Sequence, residues 1–431
     1  MLKYDLKMTF QNYATSKTEI SYINRRKRKA FRESLCFYLC RIFPVKKNLI
    51  SICTFEGKGG FGCNAKPLVE ELHRRNPEYQ FVWFVNDMNR TMPGYVKKVP
   101  NTLWSRAYWL SRSKIWIDNY RKPYGTVKRR GQYYLNVNHY TIGIKCTGLY
   151  RGKGFSEMAY LVSKNDSDMV NDFVIDSAWC EEISPNALVY EGTYHKTGAP
   201  RCDVLYGDRT EQKNKFRLKH NIPLDAKVLM FAPTFREGSE NGRRFVFSEI
   251  WSIDFEQLLK AMENKFGGKW YLCVRVHPQL APTFKEYKNP AIQDRLIDES
   301  QADDMYEILA GMDAYITDYS SACFEAGFAK IPVFLYADDV KKYAKDRGQL
   351  MWNLATDERN DIGNNKDITP MFDVRMPFTL AYNNEQLFED INDFDVAAYE
   401  DKLDDFHSSV GLVFDGQATK KLCDVIEGKM K

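Results

Sequence analysis

The chain has 431 residues, more than one ordinary hydrophobic core contains, so we expect two domains. Its formal net charge of +5 is a small excess, and no apolar run approaches the ~20 residues that would span a bilayer. Residues 1–20 are mostly polar, so no secretory signal is expected. The ten cysteines are scattered without zinc-binding spacing, which is typical of reduced cytosolic thiols.

Residues 1–47 are predicted to form a basic, amphipathic, membrane-proximal segment. Five consecutive cations occupy 25–29, and a mostly apolar stretch follows at 35–43. A helix of this kind is too short to span a membrane but suits an anionic membrane surface, where each cation near the headgroups adds about 1 kcal/mol. The alternative is a solvated arm followed by a helix that packs on the body. Nucleic acid is not expected as a partner, since no base-stacking platform accompanies the charge.

Residues 48–208 show the pattern of a Rossmann-like domain. An apolar strand at 48–55, a glycine-rich turn, a helical pattern and the strand QFVWFVND form a β–loop–α–β unit. Gly57, Gly59 and Gly62 satisfy GxGxxG after the first strand, and Asp87 ends the second. A dinucleotide site, and with it a dehydrogenase, therefore stays open as an alternative.

The alternation of strands and helices restarts after a polar helical stretch at 209–227, which predicts a second Rossmann-like domain over residues 209–431. The strands are KVLMFAPTF, KWYLCVRVHP, DAYIT and IPVFLYAD. The final helix, GQATKKLCDVIEGK, could pack on either half. The predicted fold class is α/β, with two Rossmann-like domains that face each other across a cleft.

Two strand ends in the second half predict a phosphate site. Alternation in KWYLCVRVHP places Arg275 and His277 together at the carboxyl end of the strand, where open α/β sheets bind ligands. A guanidinium beside a histidine suits phosphate, although a surface arginine and a structural histidine are the alternative. Ser320 and Ser321 follow DAYIT at a helix start, so one could cap the helix and the other could donate to an anion. Glu325, one turn later, could reach ribose hydroxyls or remain solvated.

His139 ends another predicted strand, in YLNVNHYTIGIK, but a lone histidine is more often structural than catalytic. No cluster of carboxylates or histidines has metal-ligand spacing, so neither a metal nor another cofactor is expected. Acidic pairs such as Asp338 and Asp339 are interpreted as loop or helix-end charges.

Several segments together resemble the CDP-glycerol glycerophosphotransferase family, the teichoic-acid primases and polymerases, over roughly residues 48–425. In the second half these are APTFRE, RVHP, TDYSSACFE, IPVFLYADDVKKYAKDRG and FDGQATKKL. In the first half they are SKIWIDN, RRGQYYLNVNH and TGAPRCDVL.

The resemblance implies a GT-B architecture, peripheral attachment to the cytoplasmic face of the membrane and a transfer that needs no metal. The family moves glycerol phosphate or ribitol phosphate from CDP-glycerol or CDP-ribitol. The acceptor is a hydroxyl of a polyprenyl-linked or glycan chain in teichoic-acid or capsule-type polymer synthesis, and CMP leaves. A GT-B glycosyltransferase that uses a sugar nucleotide, and a membrane scaffold without activity, are the rival hypotheses.

The resemblance also implies roles for individual residues. Arg275 and His277 would hold the donor pyrophosphate with Ser320 and Ser321 opposite, and His139 matches the family's proposed base. His277 is counted with His139 as catalytic. The other substrate-binding candidates in the matched segments are Thr234, Arg236, Asp318 and Glu325.

This sequence departs from the family pattern at several positions. The segment around His139 reads NHYT where the family has W-H-G-T. Cys202 replaces an asparagine and Glu325 replaces an aspartate. The donor half therefore matches the family better than the acceptor half.

Overall fold

The computed structural model describes residues 8–139, 142–240, 243–247, 252–276, 289–347, 349–355 and 359–431. The chain divides into two compact units. The first consists of Met1–Thr141, Cys146–Asp203 and Leu412–Lys431, and the second of Ile142–Lys145 and Val204–Gly411.

The first unit is built on a parallel sheet with helices on both faces. Its strands are β1 (Lys46–Cys53), β2 (Gln80–Val85), β3 (Val96–Pro100), β4 (Ser113–Asp118), β5 (Tyr133–Asn136), β6 (Asp172–Ile175) and β7 (Thr193–Lys196). Its first helices are α1 (Lys17–Leu39), α2 (Ala65–Arg75), α3 (Leu103–Arg112), α4 (Glu157–Ser167) and α5 (Ala178–Leu188). The strand order is β3-β2-β1-β4-β5-β6-β7, which contains the Rossmann order with its switch point between β1 and β4.

Strand β1 shows why its sequence is apolar on both faces. Ile50 and Ile52 point into one hydrophobic cluster with Leu68 of α2. Leu49 points into the other, with Phe37 of α1. Because successive side chains of a strand alternate, a strand covered on both faces needs an apolar residue at nearly every position.

The second unit repeats the same plan. Its strands are β8 (Lys227–Phe231), β9 (Arg236–Glu240), β10 (Arg243–Phe247), β11 (Trp270–Val274), β12 (Leu296–Asp298), β13 (Ala314–Thr317), β14 (Val333–Tyr336) and β15 (Thr379–Ala381). Its helices are α6 (Thr210–Lys219), α7 (Phe255–Phe266), α8 (Met305–Ala310), α9 (Ala322–Phe328), α10 (Val340–Arg347), α11 (Asn384–Asn392) and α12 (Val396–Val410). The sheet order β12-β11-β8-β13-β14-β15 is again the Rossmann order, with the switch point between β8 and β13.

The predicted α/β fold class with two Rossmann-like parallel sheets is confirmed. One strand is shorter than the sequence predicts. KWYLCVRVHP was expected to be extended throughout, but β11 ends at Val274, so Arg275 already lies beyond the strand.

The last helix, α13 (Ala418–Met430), corrects the predicted boundary of the second domain. Its buried residues Leu422, Cys423 and Ile426 belong to the hydrophobic cluster of the first unit. The Asp203 carboxylate accepts the amides of Ala418 at 3.2 Å and Thr419 at 2.8 Å and so holds the start of the helix. Residues 412–431 therefore belong with the first unit and not with the predicted 209–431.

Helix α1 also belongs to the first unit. The sequence predicts a separate segment over residues 1–47, and the structure differs from this prediction. Ser16 caps it by accepting the Glu19 amide at 3.2 Å, and Phe37 is buried in the core. Within the described ranges, no helix is both long and apolar enough to cross a bilayer.

Replacing Ile426 tests the placement of α13. Ile426→Ala should lower the free energy of unfolding by about 2–5 kcal/mol, because a fully buried side chain is removed and a cavity remains. Amide hydrogen exchange should accelerate in β1 and β2 but not in β8 and β13. Lys420→Ala, on the exposed side of the same helix, is the control. Accelerated exchange in β8 and β13 with β1 and β2 unaffected would contradict the assignment.

Candidate functional site

Both sheets place polar residues at the switch point, where open α/β sheets bind ligands beyond the carboxyl ends of the strands. In the first unit, β1 runs into the glycine-rich turn and β4 ends at Asp118. In the second unit, β8 runs towards Thr234 and β13 ends just before Asp318. Each unit therefore has its own candidate site.

Arg275 lies at the carboxyl end of β11, as expected. Its amide donates to the Phe231 carbonyl at 2.9 Å, and its Nη1 donates to the Glu299 carbonyl at 2.6 Å. Burial lowers the pKa of the Arg275 guanidinium, so a bound anion would relieve a cost that the fold imposes. His277, its predicted partner, lies outside the described residues.

Ser320 and Ser321 follow β13, and both are partly exposed. The Ser320 hydroxyl accepts the Ala322 amide at 3.4 Å, whereas Ser321, the N-cap residue of α9, makes no capping bond with its side chain. Strand β8 separates β11 from β13, so Arg275 and Ser320 follow strands that are about 10 Å apart. The arrangement can present a guanidinium and two hydroxyls at one sheet edge.

Arg236, predicted as a substrate ligand, is engaged by other groups of the protein. It donates to both carboxylate oxygens of Asp339, at 2.6 and 2.9 Å, to Asp318 at 2.8 Å and to the Thr234 carbonyl at 2.6 Å. Its guanidinium also lies 5.0 Å from the ring centroids of Tyr319 and Tyr343. The buried Arg236 side chain therefore connects the three loops that follow β8, β13 and β14.

Asp339 and Asp318 are the ion-pair partners of Arg236. Asp339 lies directly before α10, at the helix end that the sequence predicts, and there it pairs with Arg236 and accepts the Tyr319 hydroxyl at 2.7 Å. Asp318 is buried and accepts the amides of Thr234 at 2.8 Å and Tyr319 at 2.6 Å. Asp318 thus shapes the site, and its oxygens are engaged by the protein.

Thr234 and Glu325 are both buried, but only Glu325 has a hydrogen-bond partner for its side chain among the described residues. The Thr234 hydroxyl is buried and has no hydrogen-bond partner among the described residues, which is costly unless a ligand supplies one. Glu325 was expected to reach ribose or remain solvated, but it is fully buried and accepts a hydrogen bond from the Tyr306 hydroxyl. Its replacement of an aspartate therefore concerns the interior of the unit.

His139 lies two residues after Val137, beyond the end of β5, and is half-buried. Its Nδ1 is 2.7 Å from the Asn119 carbonyl. Its ring lies 5.3 Å from the ring of Phe55 and 5.4 Å from that of Tyr120, between centroids. A backbone carbonyl only accepts, so Nδ1 bears the hydrogen and the lone pair of the neutral ring is on Nε2.

The glycine-rich turn packs beside His139. Asn64, just before α2, donates to the carbonyls of Val137 at 2.8 Å and Asn138 at 2.6 Å. A Cβ on Gly57 would lie 2.6 Å from Asn101 Nδ2, and that glycine has a φ of +82°. The loop's own packing thus accounts for this glycine without a dinucleotide.

A buried charge cluster supports the same region. Lys122 and Asp118 form an ion pair at 2.6 Å, and both side chains are 2% exposed. The Lys122 amide donates to Asp166 at 2.8 Å, and the Tyr134 hydroxyl donates to the same oxygen at 3.2 Å. Burial raises the pKa of Asp166 to about 7.

Sequence reasoning missed the residues that hold these sites in place. In the first unit they are Asn64, Asp118, Asn119 and Lys122, and in the second Asp339 and Tyr343. The only available signal was position: SKIWIDN and IPVFLYADD each end an apolar strand in polar residues.

The solved structure of the wall teichoic acid polymerase TagF has the same fold, with a TM-score of 0.74 at 23% identity over 96% of this chain and 99% of that one. The two Rossmann-type units therefore have the fold of a wall teichoic acid polymerase. Residues 35–428 match the sequence profile of the CDP-Glycerol:Poly(glycerophosphate) glycerophosphotransferase family. The chain belongs to this family, which confirms the predicted resemblance.

Two relatives show how much of such proteins the chain represents. It is 28% identical over 402 residues to the teichoic acid glycerol-phosphate transferase of Staphylococcus aureus, covering 88% of this chain and 93% of the relative. It is 27% identical over 397 residues to the teichoic acid poly(glycerol phosphate) polymerase of Staphylococcus epidermidis, covering 90% of this chain and 51% of the relative. The chain thus spans about half the length of that polymerase.

The raised pKa of Asp166 predicts a pH-dependent stability. Its folded pKa of about 7 lies above the ordinary value of 3.8, so the native state binds more protons and loses stability as pH rises between these values. Asp166→Asn should remove this loss, so that thermal unfolding shows a higher Tm than the parent at pH 8 and a similar Tm near pH 4.

Asp168→Asn, at the exposed end of the same helix, is the control and should leave the pH profile unchanged. A parallel pH dependence of Asp166→Asn and the parent protein would show that Asp166 titrates as an ordinary carboxyl.

Proposed function

We propose that the protein transfers a polyol phosphate from a CDP-activated donor to a hydroxyl of a lipid-linked or glycan acceptor in teichoic-acid or capsule-type polymer synthesis. The main support is the family match over residues 35–428, which includes the candidate residues of both units. The matched relative from Staphylococcus aureus is a glycerol-phosphate transferase, so glycerol phosphate is the first donor group to test, with ribitol phosphate second.

The second unit supplies the proposed donor site. Arg275, Ser320, Ser321 and the Thr234 hydroxyl would bind the pyrophosphate, with His277 completing the set; within the described part of the chain that hydroxyl has no partner. Cationic and hydroxyl donors held in place before the reaction stabilise the charge of phosphoryl transfer without reorganisation. Arg236 and Asp318 would keep the loops in position and make no direct contact with the donor.

The first unit supplies the proposed base. The acceptor oxygen would attack the β-phosphorus of the donor, forming the new O–P bond as the P–O bond to CMP breaks. CMP leaves with the bonding electron pair, and Nε2 of His139 takes the hydroxyl proton. Such a base contributes about 10² to 10⁴-fold.

A nucleotide-donor panel with site variants tests this proposal. CDP-glycerol, CDP-ribitol and UDP-sugars are incubated with membrane extract as acceptor, and the released nucleotide is identified. We expect the parent protein to release CMP from a CDP-polyol. The rate of CMP release should be about tenfold or more lower in Ser320→Ala and in His277→Ala, because donors to the pyrophosphate are lost. His139→Gln should abolish transfer and retain donor binding.

Ser408→Ala, on the exposed face of α12, is the matched control and should behave as the parent protein. Release of UDP with no CMP would replace the proposal with a glycosyltransferase. Near-normal turnover of both Ser320→Ala and His277→Ala would remove these residues from the site.

We also propose that α1 and the turn after it attach the protein to the cytoplasmic face of an anionic membrane. Phe31 is 68% exposed and Leu39 62%, at positions of α1 that share one helical face with Leu35 and Tyr38. Ile42, in the turn after α1, is 81% exposed. The exposed cations of the same helix are Lys17, Arg25, Lys27, Arg28, Lys29 and Arg32. An exposed apolar face flanked by cations suits the headgroup region.

Vesicle sedimentation tests the attachment. The parent protein should bind phosphatidylglycerol vesicles better than phosphatidylcholine vesicles, and binding should fall with salt. The double variant Leu39→Ser and Ile42→Ser should weaken binding about tenfold or more, since two apolar side chains no longer enter the bilayer. Leu218→Ser, equally exposed on α6, is the control; equal losses in both variants would contradict a specific role of α1.

A further inference from the structure

The glycine-rich turn after β1 has no part in the proposed donor chemistry, yet its backbone is strained. Phe55, Glu56 and Gly57 adopt φ values of +48°, +57° and +82° in succession. Two of these residues are not glycine, and left-handed backbone costs such residues about 1–3 kcal/mol each. A conformation of this kind persists only when its surroundings impose it.

Asparagine side chains impose it. The Glu56 carbonyl accepts Nδ2 of Asn101 at 2.7 Å and Nδ2 of Asn86 at 3.2 Å. The backbone amide of Asn86 adds a bond to the Gly57 carbonyl at 2.7 Å. The Phe55 amide donates to Oδ1 of Asn119 at 2.8 Å. The turn is therefore held from both sides, and Phe55 is fixed with its ring against His139.

Asn119 connects this turn to the histidine. Its side chain accepts from Phe55 and donates to the Cys63 sulfur at 3.2 Å, while its carbonyl faces Nδ1 of His139 at 2.7 Å. Its chain neighbour Asp118 is locked by the buried pair with Lys122 and accepts the Tyr120 amide at 2.9 Å. The carbonyl of Asn119 therefore has little freedom to turn away from the imidazole.

We propose that Asn119 is a positioning residue for the transfer: its carbonyl holds His139 as the Nδ1–H tautomer, and its side chain holds the turn that packs Phe55 against the ring. The lone pair is then on Nε2, the atom that takes the acceptor proton. This inference rests on the proposed role of His139 as the base, but the tautomer itself can be measured without turnover.

Nitrogen-15 NMR of histidine-labelled protein tests the tautomer first. The chain has 6 histidines, and His139 is assigned as the signal that His139→Gln lacks. At a pH where the ring is neutral, we expect the Nδ1–H form in the parent protein. An Nε2–H form there would overturn the proposal without any further variant.

Asn119→Ala tests the positioning. It should lower kcat by roughly tenfold or more, up to the 10² to 10⁴-fold that a general base contributes, while KM for the CDP-polyol changes less than twofold. The backbone carbonyl at position 119 remains as the acceptor for Nδ1 in this variant, so the His139 signal should keep the Nδ1–H form. Asn48→Ala removes a comparable side-chain bond, to the Glu78 carbonyl at 2.8 Å in the same unit, and should alter neither quantity.

Unchanged kcat in a folded Asn119→Ala protein would overturn the positioning role of the Asn119 side chain. So would a lower kcat that Asn48→Ala reproduces, since the loss would then be general. If His139→Gln keeps full turnover, the proposed base fails, and the tautomer measurement still decides whether Asn119 holds the ring as described.

Discussion

A charge buried at the end of a parallel strand has to be paired, and this requirement organises both units. In the first unit Lys122 pairs with Asp118 directly after β4. In the second, Arg236 pairs with Asp318 after β13 and with Asp339 after β14. Removing one partner of such a pair costs about 3–5 kcal/mol, because the other charge is left in a poorly solvated place. The loops that extend from the sheets are consequently held rigidly where the candidate residues emerge.

This pairing divides the predicted ligands of the second unit into two groups. Arg236, Asp318 and Glu325 are buried and bonded to other protein groups. Ser320 and Ser321 are partly exposed, which suits direct contact with a phosphate. A polar residue in a matched motif can therefore serve either purpose, and burial with its hydrogen bonds distinguishes the two.

The glycine-rich turn shows how one pattern can arise from different needs. GxGxxG after a strand is typical of a dinucleotide site, because glycine lets the backbone approach a pyrophosphate. Here Gly57 is left-handed and lies against Asn101, and the turn packs beside His139. A tight turn at a switch point can therefore produce the GxGxxG spacing without binding a dinucleotide.

The sequence alone determined the alternation of strands and helices in both halves, the two parallel sheets and the family, because periodicity and local motifs depend on near neighbours in the chain. It also located Arg275, Ser320 and His139 at strand ends. It could not place α13 against α2, pair Arg236 with Asp339 or aim the Asn119 carbonyl at His139. Those outcomes join residues from 20 to more than 300 positions apart, and only the packed tertiary structure decides which distant partner satisfies a buried apolar face, charge or ring nitrogen.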